Sequence, residues 1–130
     1  MIEIDQLENL KRIYREHGNI IVAFDFDDTI FPYNLVKDAE PVFQLALRCN
    51  KSNKCVTILF TCREGERLAE AVDYCNSRGL HFYYINENAN PMFTSRKPHF
   101  NILLDDKAGL PYTYEILLQF MDWVEAQDGG

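Results

Sequence analysis

No stretch of this 130-residue chain approaches the 18 apolar residues of a membrane span. Its first residues, Met1-Ile2-Glu3-Ile4-Asp5, lack both the basic start and the apolar core of a secretory signal. These absences predict a cytoplasmic protein with no membrane partner. The four cysteines, Cys49, Cys55, Cys62 and Cys75, show no paired short spacing of the zinc-binding kind, and three fall within apolar helix or strand patterns. Reduced, structural thiols are expected. His17, His81 and His99 are scattered without ligand spacing and read as surface or packing residues. Basic residues are scarce: 13 Lys and Arg stand against 20 Asp and Glu, a net charge of -7. That balance disfavours a surface that coats nucleic acid, which needs Lys and Arg against phosphate, while leaving room for a small basic pocket. Internal repeats, linkers and low-complexity segments are missing too, so residues 1–130 are expected to form one domain.

What the chain does have is core. Hydrophobic residues make up 47% and aromatic residues 13% of it, enough to fold without disulfide or metal staples. Four apolar, β-branched or aromatic runs read as strands, at residues 20–26, 55–60, 81–85 and 101–104. Amphipathic helices lie between and around them. Asp5 opens one, with Glu8 completing a capping pair and Leu7, Leu10 and Tyr14 forming the apolar stripe. Pro41 starts another, striped by Val42, Leu45, Ala46 and Cys49. Leu68, Val72 and Cys75 stripe a third, which Gly79 can end in a left-handed conformation. Ile116, Leu117, Phe120 and Val124 stripe a last helix opened by Pro111, although the aromatic and aliphatic run at 112–118 also reads as a short strand. Alternating strands and helices predict an α/β fold: a three-layer, Rossmann-like arrangement around a central parallel sheet of four or five strands.

The most informative run is Ile20-Ile21-Val22-Ala23-Phe24-Asp25-Phe26-Asp27-Asp28-Thr29, where two carboxylates, two residues apart, stand at the end of a buried strand. An acid between Phe24 and Phe26 gains nothing from packing, and clustered carboxylates repel one another unless they share a cation or a proton. A divalent metal is the first expectation. In a parallel sheet, ligands bind at the carboxyl ends of the strands. The residues at those ends are Asp25, Thr61, Asn86 and Asp105, so polar groups scattered through the chain converge on one edge.

In these residues the chain resembles the haloacid dehalogenase superfamily of phosphotransferases, in a small capless form. Asp25-Phe26-Asp27-Asp28-Thr29 is similar to that family's first motif, Ile58-Leu59-Phe60-Thr61 to the second, Lys97 in Arg96-Lys97-Pro98 to the third, and Ile102-Leu103-Leu104-Asp105-Asp106 to the fourth. The likeness covers residues 20 to about 109, in the right order. Asp28 departs from it, since many relatives carry Gly there; Asp tolerates unusual backbone angles better than most residues. The resemblance implies a Mg2+-dependent phosphatase in which Asp25 attacks phosphorus to form an aspartyl phosphate and Asp27 acts as general acid and then base. It implies metal ligation by Asp25, the backbone carbonyl of Asp27, Asp105 and Asp106, with hard oxygen donors suited to Mg2+. Two readings of Asp106 stand, a hold on a metal-bound water and orientation of Lys97. Thr61 and Lys97 would contact the phosphoryl oxygens. Thr61 also reads as a plain helix cap, and Arg96 or Lys107 as a substitute for Lys97. Arg63 and Asn86, with Glu64, Glu87 and Asn88, share the edge and are candidates to touch substrate.

Family members that act on small metabolites commonly carry an inserted cap domain. Here residues 30–37 and 87–100 occupy the insertion points, and neither is long enough to build one. An open site of this kind suits macromolecular phosphates, or closure by a neighbouring subunit; oligomeric state and substrate identity are not written in the sequence. The loop at 86–93 is the expected substrate-selecting element. Two other classes compete: a two-component receiver domain, and a catalytically silent phosphate- or partner-binding module. A receiver would carry its phosphorylated Asp where this chain has Thr61, and its Lys at a strand end rather than before a strand.

Overall fold

The computed structural model describes residues 5–33, 38–86, 100–105 and 109–128. Its element order is α1 (Gln6–His17), β1 (Ile20–Asp25), α2 (Glu40–Lys51), β2 (Cys55–Phe60), α3 (Gly65–Ser77), β3 (Tyr84–Ile85), β4 (Ile102–Leu104) and α4 (Leu110–Asp128). Most local causes match the sequence. Asp5 caps α1 by accepting from the backbone N–H groups of Leu7 and Glu8, but Glu8 does not complete the expected capping pair, because its carboxylate takes the Lys11 ammonium at 3.3 Å. At the end of α3, Gly79 sits at φ 86°, which lets its own N–H reach the Asn76 carbonyl and lets Leu80 N–H reach that of Cys75. The C-terminal segment is helical from Leu110 on, because Thr113, Ile116, Leu117, Phe120, Met121 and Val124 are buried at helical spacing.

All strand pairs are parallel, in the order β3-β2-β1-β4. The fold is thus α/β and Rossmann-like, with β1 inside the sheet. From β1 the chain proceeds through β2 to β3 on one side, whereas β4 lies on the other side of β1. The order therefore reverses between β1 and β4, the kind of switch point where ligand crevices form in open parallel sheets.

Register divides the sheet into two faces. Ile20, Val22 and Phe24 of β1 share one face with Cys55 and Leu59 of β2 and with Ile102 and Leu104 of β4. These residues form one buried cluster with Leu10 of α1, Phe43 of α2, Ala71 of α3 and Phe120 of α4. The four described helices consequently cover the same face. The opposite face carries Ile21, Ala23, Ile58 and Leu103, and at its upper edge Asp25. The third layer expected from the sequence is not among the described residues; the connection from β3 to β4 includes residues 87–99, which lie outside them. No described helix is long and apolar enough to cross a membrane. All four cysteines are free thiols, with Cys49, Cys55 and Cys75 buried and Cys62 exposed.

Three strands are shorter than the sequence predicts, β4 only by Asn101, whose side chain accepts from Ile21 N–H. The run at 81–85 yields only Tyr84–Ile85 as β3, because the Asn50 side chain from α2 holds both backbone groups of His81, donating to its carbonyl at 2.6 Å and accepting from its N–H at 3.0 Å. β1 ends at Asp25 rather than Phe26. The Phe26 carbonyl turns inward to accept from the N–H groups of Thr29, Ile30 and Phe31.

Candidate active site

The parallel register aligns the strand ends that carry the polar residues. Asp25 pairs with Phe60, so Thr61 follows directly on the neighbouring strand. Phe24 pairs with Leu104, which puts Asp105 one step on, beside Asp25. Leu59 pairs with Ile85, and Asn86 follows. Neighbouring strands lie about 4.8 Å apart, so these residues make a row across the carboxyl edge of the sheet. Asp25 and Asp105, both half-buried, flank the switch point between β1 and β4.

A tight turn after β1 shapes the rest. Asp28 adopts φ 60°, the left-handed region that Asp and Asn visit more readily than other side chains. An Asp is thus accommodated by the backbone at this position. Asp28 N–H donates to the Phe31 carbonyl at 2.7 Å, and its carboxylate accepts from Tyr33 N–H at 3.1 Å. The turn brings Thr29, fully buried, back over the strand end, where its hydroxyl donates to Asp25 Oδ2 in a long bond of 3.4 Å. Sequence reasoning gave Thr29 no role of its own. Its signal was a polar residue four positions after Asp25, between apolar Phe26 and Ile30.

Asp27 has a partner that the sequence did not reveal. Arg63 donates through Nε to Asp27 Oδ2 at 3.0 Å and through Nη2 to Oδ1 at 2.6 Å, a two-pronged pairing. Its remaining arm, Nη1, reaches the Arg67 carbonyl at 3.4 Å. The guanidinium carbon lies 4.8 Å from the ring centre of Phe26, 5.6 Å from Phe31 and 5.7 Å from Tyr33, near enough for cation–π attraction. The Arg63 side chain is only 9% exposed and that of Asp27 29%. Its hydrogen bonds to Asp27 outweigh burial and hold the guanidinium above its usual range. Arg63, expected to touch substrate, thus has its nitrogens directed to the protein.

Thr61 and Asn86 stand where the sequence puts them, and each makes a local bond. The Thr61 hydroxyl oxygen accepts from Arg63 N–H at 3.1 Å, which leaves its proton available for donation elsewhere. Asn86, at φ 55°, offers its side-chain oxygen to Thr61 N–H at 2.9 Å and so ties the ends of β2 and β3 together. Lys97, Asp106 and most of the 86–93 loop lie outside the described residues.

The donor chemistry suits Mg2+, an ion that takes one or two carboxylates and completes its shell with water and substrate phosphate. Asp25 and Asp105 offer hard oxygens on adjoining strand ends, whereas the Asp27 side chain is turned to Arg63, so that only its backbone carbonyl suits such a role. Among the described residues no group of three or more His, Cys, Asp and Glu side chains converges as a metal site.

Searches of family models and of curated proteins returned no match. The chain is similar to a solved structure described as a conserved protein coded by a locus from Bacteroides thetaiotaomicron, at 28% identity and a TM-score of 0.63 over 78% of this chain and 91% of that one. The likeness extends over most of both chains and supports the parallel α/β architecture.

Proposed function

We propose that the protein is a Mg2+-dependent phosphomonoester hydrolase that works through an aspartyl phosphate on Asp25. The observation that carries this reading is the row of Asp25, Thr61, Asn86 and Asp105 along one sheet edge, with Asp25 and Asp105 adjoining at the point where strand order reverses. Two carboxylates side by side at a strand end serve no packing purpose, and their chemistry is that of cation and phosphoryl handling.

In this mechanism an Asp25 carboxylate oxygen attacks phosphorus while Thr29 holds Oδ2. The bond from phosphorus to the ester oxygen breaks, and Asp27 gives that oxygen its proton. Water then attacks the phosphorus of the aspartyl phosphate, Asp27 takes a proton from it, and inorganic phosphate leaves with Asp25 regenerated. Protonated Asp27 must free one oxygen from Arg63, since both are engaged by the guanidinium. Thr61 donates its hydroxyl to a phosphoryl oxygen, and Lys97 supplies positive charge there as negative charge shifts in the transition state. Asp25, Asp105 and the Asp27 carbonyl, with Asp106 as the further ligand that the resemblance implies, would hold Mg2+, which would offset the repulsion between carboxylate and phosphoryl group. The substrate is a phosphate ester, and the short segments expected at the cap insertion points, 30–37 and 87–100, suit esters on large molecules.

The test is hydrolysis of a panel of phosphomonoesters with Mg2+, repeated with Asp25→Asn. Wild type should turn over and the nearly isosteric variant should not, with circular dichroism unchanged. Wild-type activity in Asp25→Asn, with the same Mg2+ dependence, would refute the assignment of the nucleophile.

A further inference from the structure

We propose that Arg63 is a positioning residue that aims the acid and base Asp27 at the leaving oxygen rather than a residue that binds substrate, an inference that rests on the phosphatase reading above. Three observations converge. The guanidinium grips both carboxylate oxygens of Asp27 at 3.0 and 2.6 Å. Its third nitrogen is directed to the Arg67 carbonyl. Its faces lie within cation–π distance of Phe26, Phe31 and Tyr33, and 9% of its side chain remains exposed. An arginine meant for a phosphoryl group has to present its fork to the open edge; this one presents it to a carboxylate.

The need for such a device follows from the turn. Asp27 stands two residues beyond the end of β1, between the turning Phe26 and the left-handed Asp28, where its backbone bridges to Phe31 of the same turn and its carboxylate is held by Arg63. A two-pronged bond to a planar group fixes both the direction and the plane of the carboxylate, which one bond to a rotating ammonium does not; when Asp27 is protonated one prong is released toward the leaving oxygen, and the other, from a guanidinium held by the rings, keeps the direction. The aromatic cluster holds the arginine in turn. Phe26 and Phe31 stack at 5.0 Å, and Tyr74 of α3 packs edge-on against both, so the aim of Asp27 is anchored in the core. Proton transfer depends steeply on such alignment, and a displacement of about 1 Å can cost a hundredfold in rate.

The experiment compares two substrates, an alkyl phosphate and 4-nitrophenyl phosphate, for wild type, Arg63→Gln, Arg63→Lys, Asp27→Asn and the double variant. An alkoxide needs a proton as it leaves and a nitrophenolate hardly does, so loss of aim falls mainly on the alkyl ester. For Arg63→Gln, kcat/KM should drop about a hundredfold on the alkyl ester and by about tenfold or less on the aryl ester. Arg63→Lys should recover part of the alkyl activity, and Arg63→Gln should add little further loss in the Asp27→Asn background. Arg67→Gln, which removes a neighbouring charge but leaves the backbone carbonyl in place, serves as control and should change neither ester. Melting curves identify any variant that fails to fold, and Arg63→Lys, which retains the charge and most of the volume, then carries the comparison. An equal loss on both esters, expressed as a higher KM, would show that Arg63 binds substrate and overturn the proposal while leaving the phosphatase reading intact. An unchanged ester ratio in Arg63→Lys and Arg63→Gln would also overturn it. A wild type inactive on every ester would overturn the proposal and the phosphatase reading together.

Discussion

Asp25 closes β1 and Asp105 follows the last residue of β4, which brings the two side by side at the carboxyl edge of the sheet. At the separation of about 5 Å that neighbouring strands impose, two unit charges repel by about 3 kcal/mol at an effective dielectric of 20 and by under about 1 kcal/mol in water. Both residues are half-buried, and solvent screening brings the expected repulsion to about 1 kcal/mol. For 130 residues the unfolding entropy near Tm is about 0.27 kcal/mol per degree. Asp105→Asn removes this repulsion together with the contacts that Asp105 makes, so the Mg2+-free melting temperature of each protein is the baseline from which its Mg2+ shift is read. Mg2+ that binds only the folded state adds about 2.7 kcal/mol at a hundred times its Kd, or about 10 °C for wild type. The variant loses a hard oxygen ligand, so its shift should shrink to a small fraction of that, and its turnover should fall. The assay is thermal unfolding of both proteins across a Mg2+ titration at constant ionic strength, with Ca2+ as a second cation. Equal Mg2+ shifts in the two proteins would place the ion elsewhere and refute the metal role of Asp105.

Three further outcomes are expected. Thr29→Val removes the hydroxyl that reaches Asp25 Oδ2 at nearly constant shape; turnover should fall at least several-fold while urea unfolding shows a loss of no more than about 2 kcal/mol, and unchanged kcat would remove Thr29 from the site. Gly79→Ala places a Cβ in a left-handed position with nothing within 4 Å, so the cost is conformational alone, about 1 kcal/mol, to be read from denaturant midpoints. Burial pushes the Cys75 thiol up from 9.0 to about 12. A folded pKa raised above the unfolded one gives stability that is fully present below pH 9 and is lost as pH rises through about 12. Three units correspond to about 4 kcal/mol, so unfolding midpoints measured from pH 8 to 11 should fall more steeply for wild type than for Cys75→Ala, and parallel curves would contradict the burial of this thiol.

Much of the architecture was legible in the sequence because it follows from periodicity within short windows. The stripe of Val42, Leu45, Ala46 and Cys49 has the helical period, and all of these residues are buried in α2; Asp5 and Gly79 mark helix ends through backbone chemistry that needs no distant partner. The strand-end residues Asp25, Thr61, Asn86 and Asp105 could be lined up from sequence because each closes an apolar run, and parallel strands put their ends on one edge. Events that depend on partners far away in the chain were not legible. The shortening of β3 depends on Asn50, 31 residues from His81. The pairing of Asp27 with Arg63 spans 36 residues, and nothing near either one marks it, since an arginine after a strand end reads equally as a substrate contact or a solvated charge. The sequence by itself determined where strands, helices and the polar edge fall, though not where β3 begins, because hydrophobic period and backbone preference are local. Only the tertiary structure decided that β1 lies between β2 and β4, that Asp25 adjoins Asp105, and that the Asp27 carboxylate is held by an arginine wedged against aromatic rings, because strand order and side-chain pairing come from long-range packing.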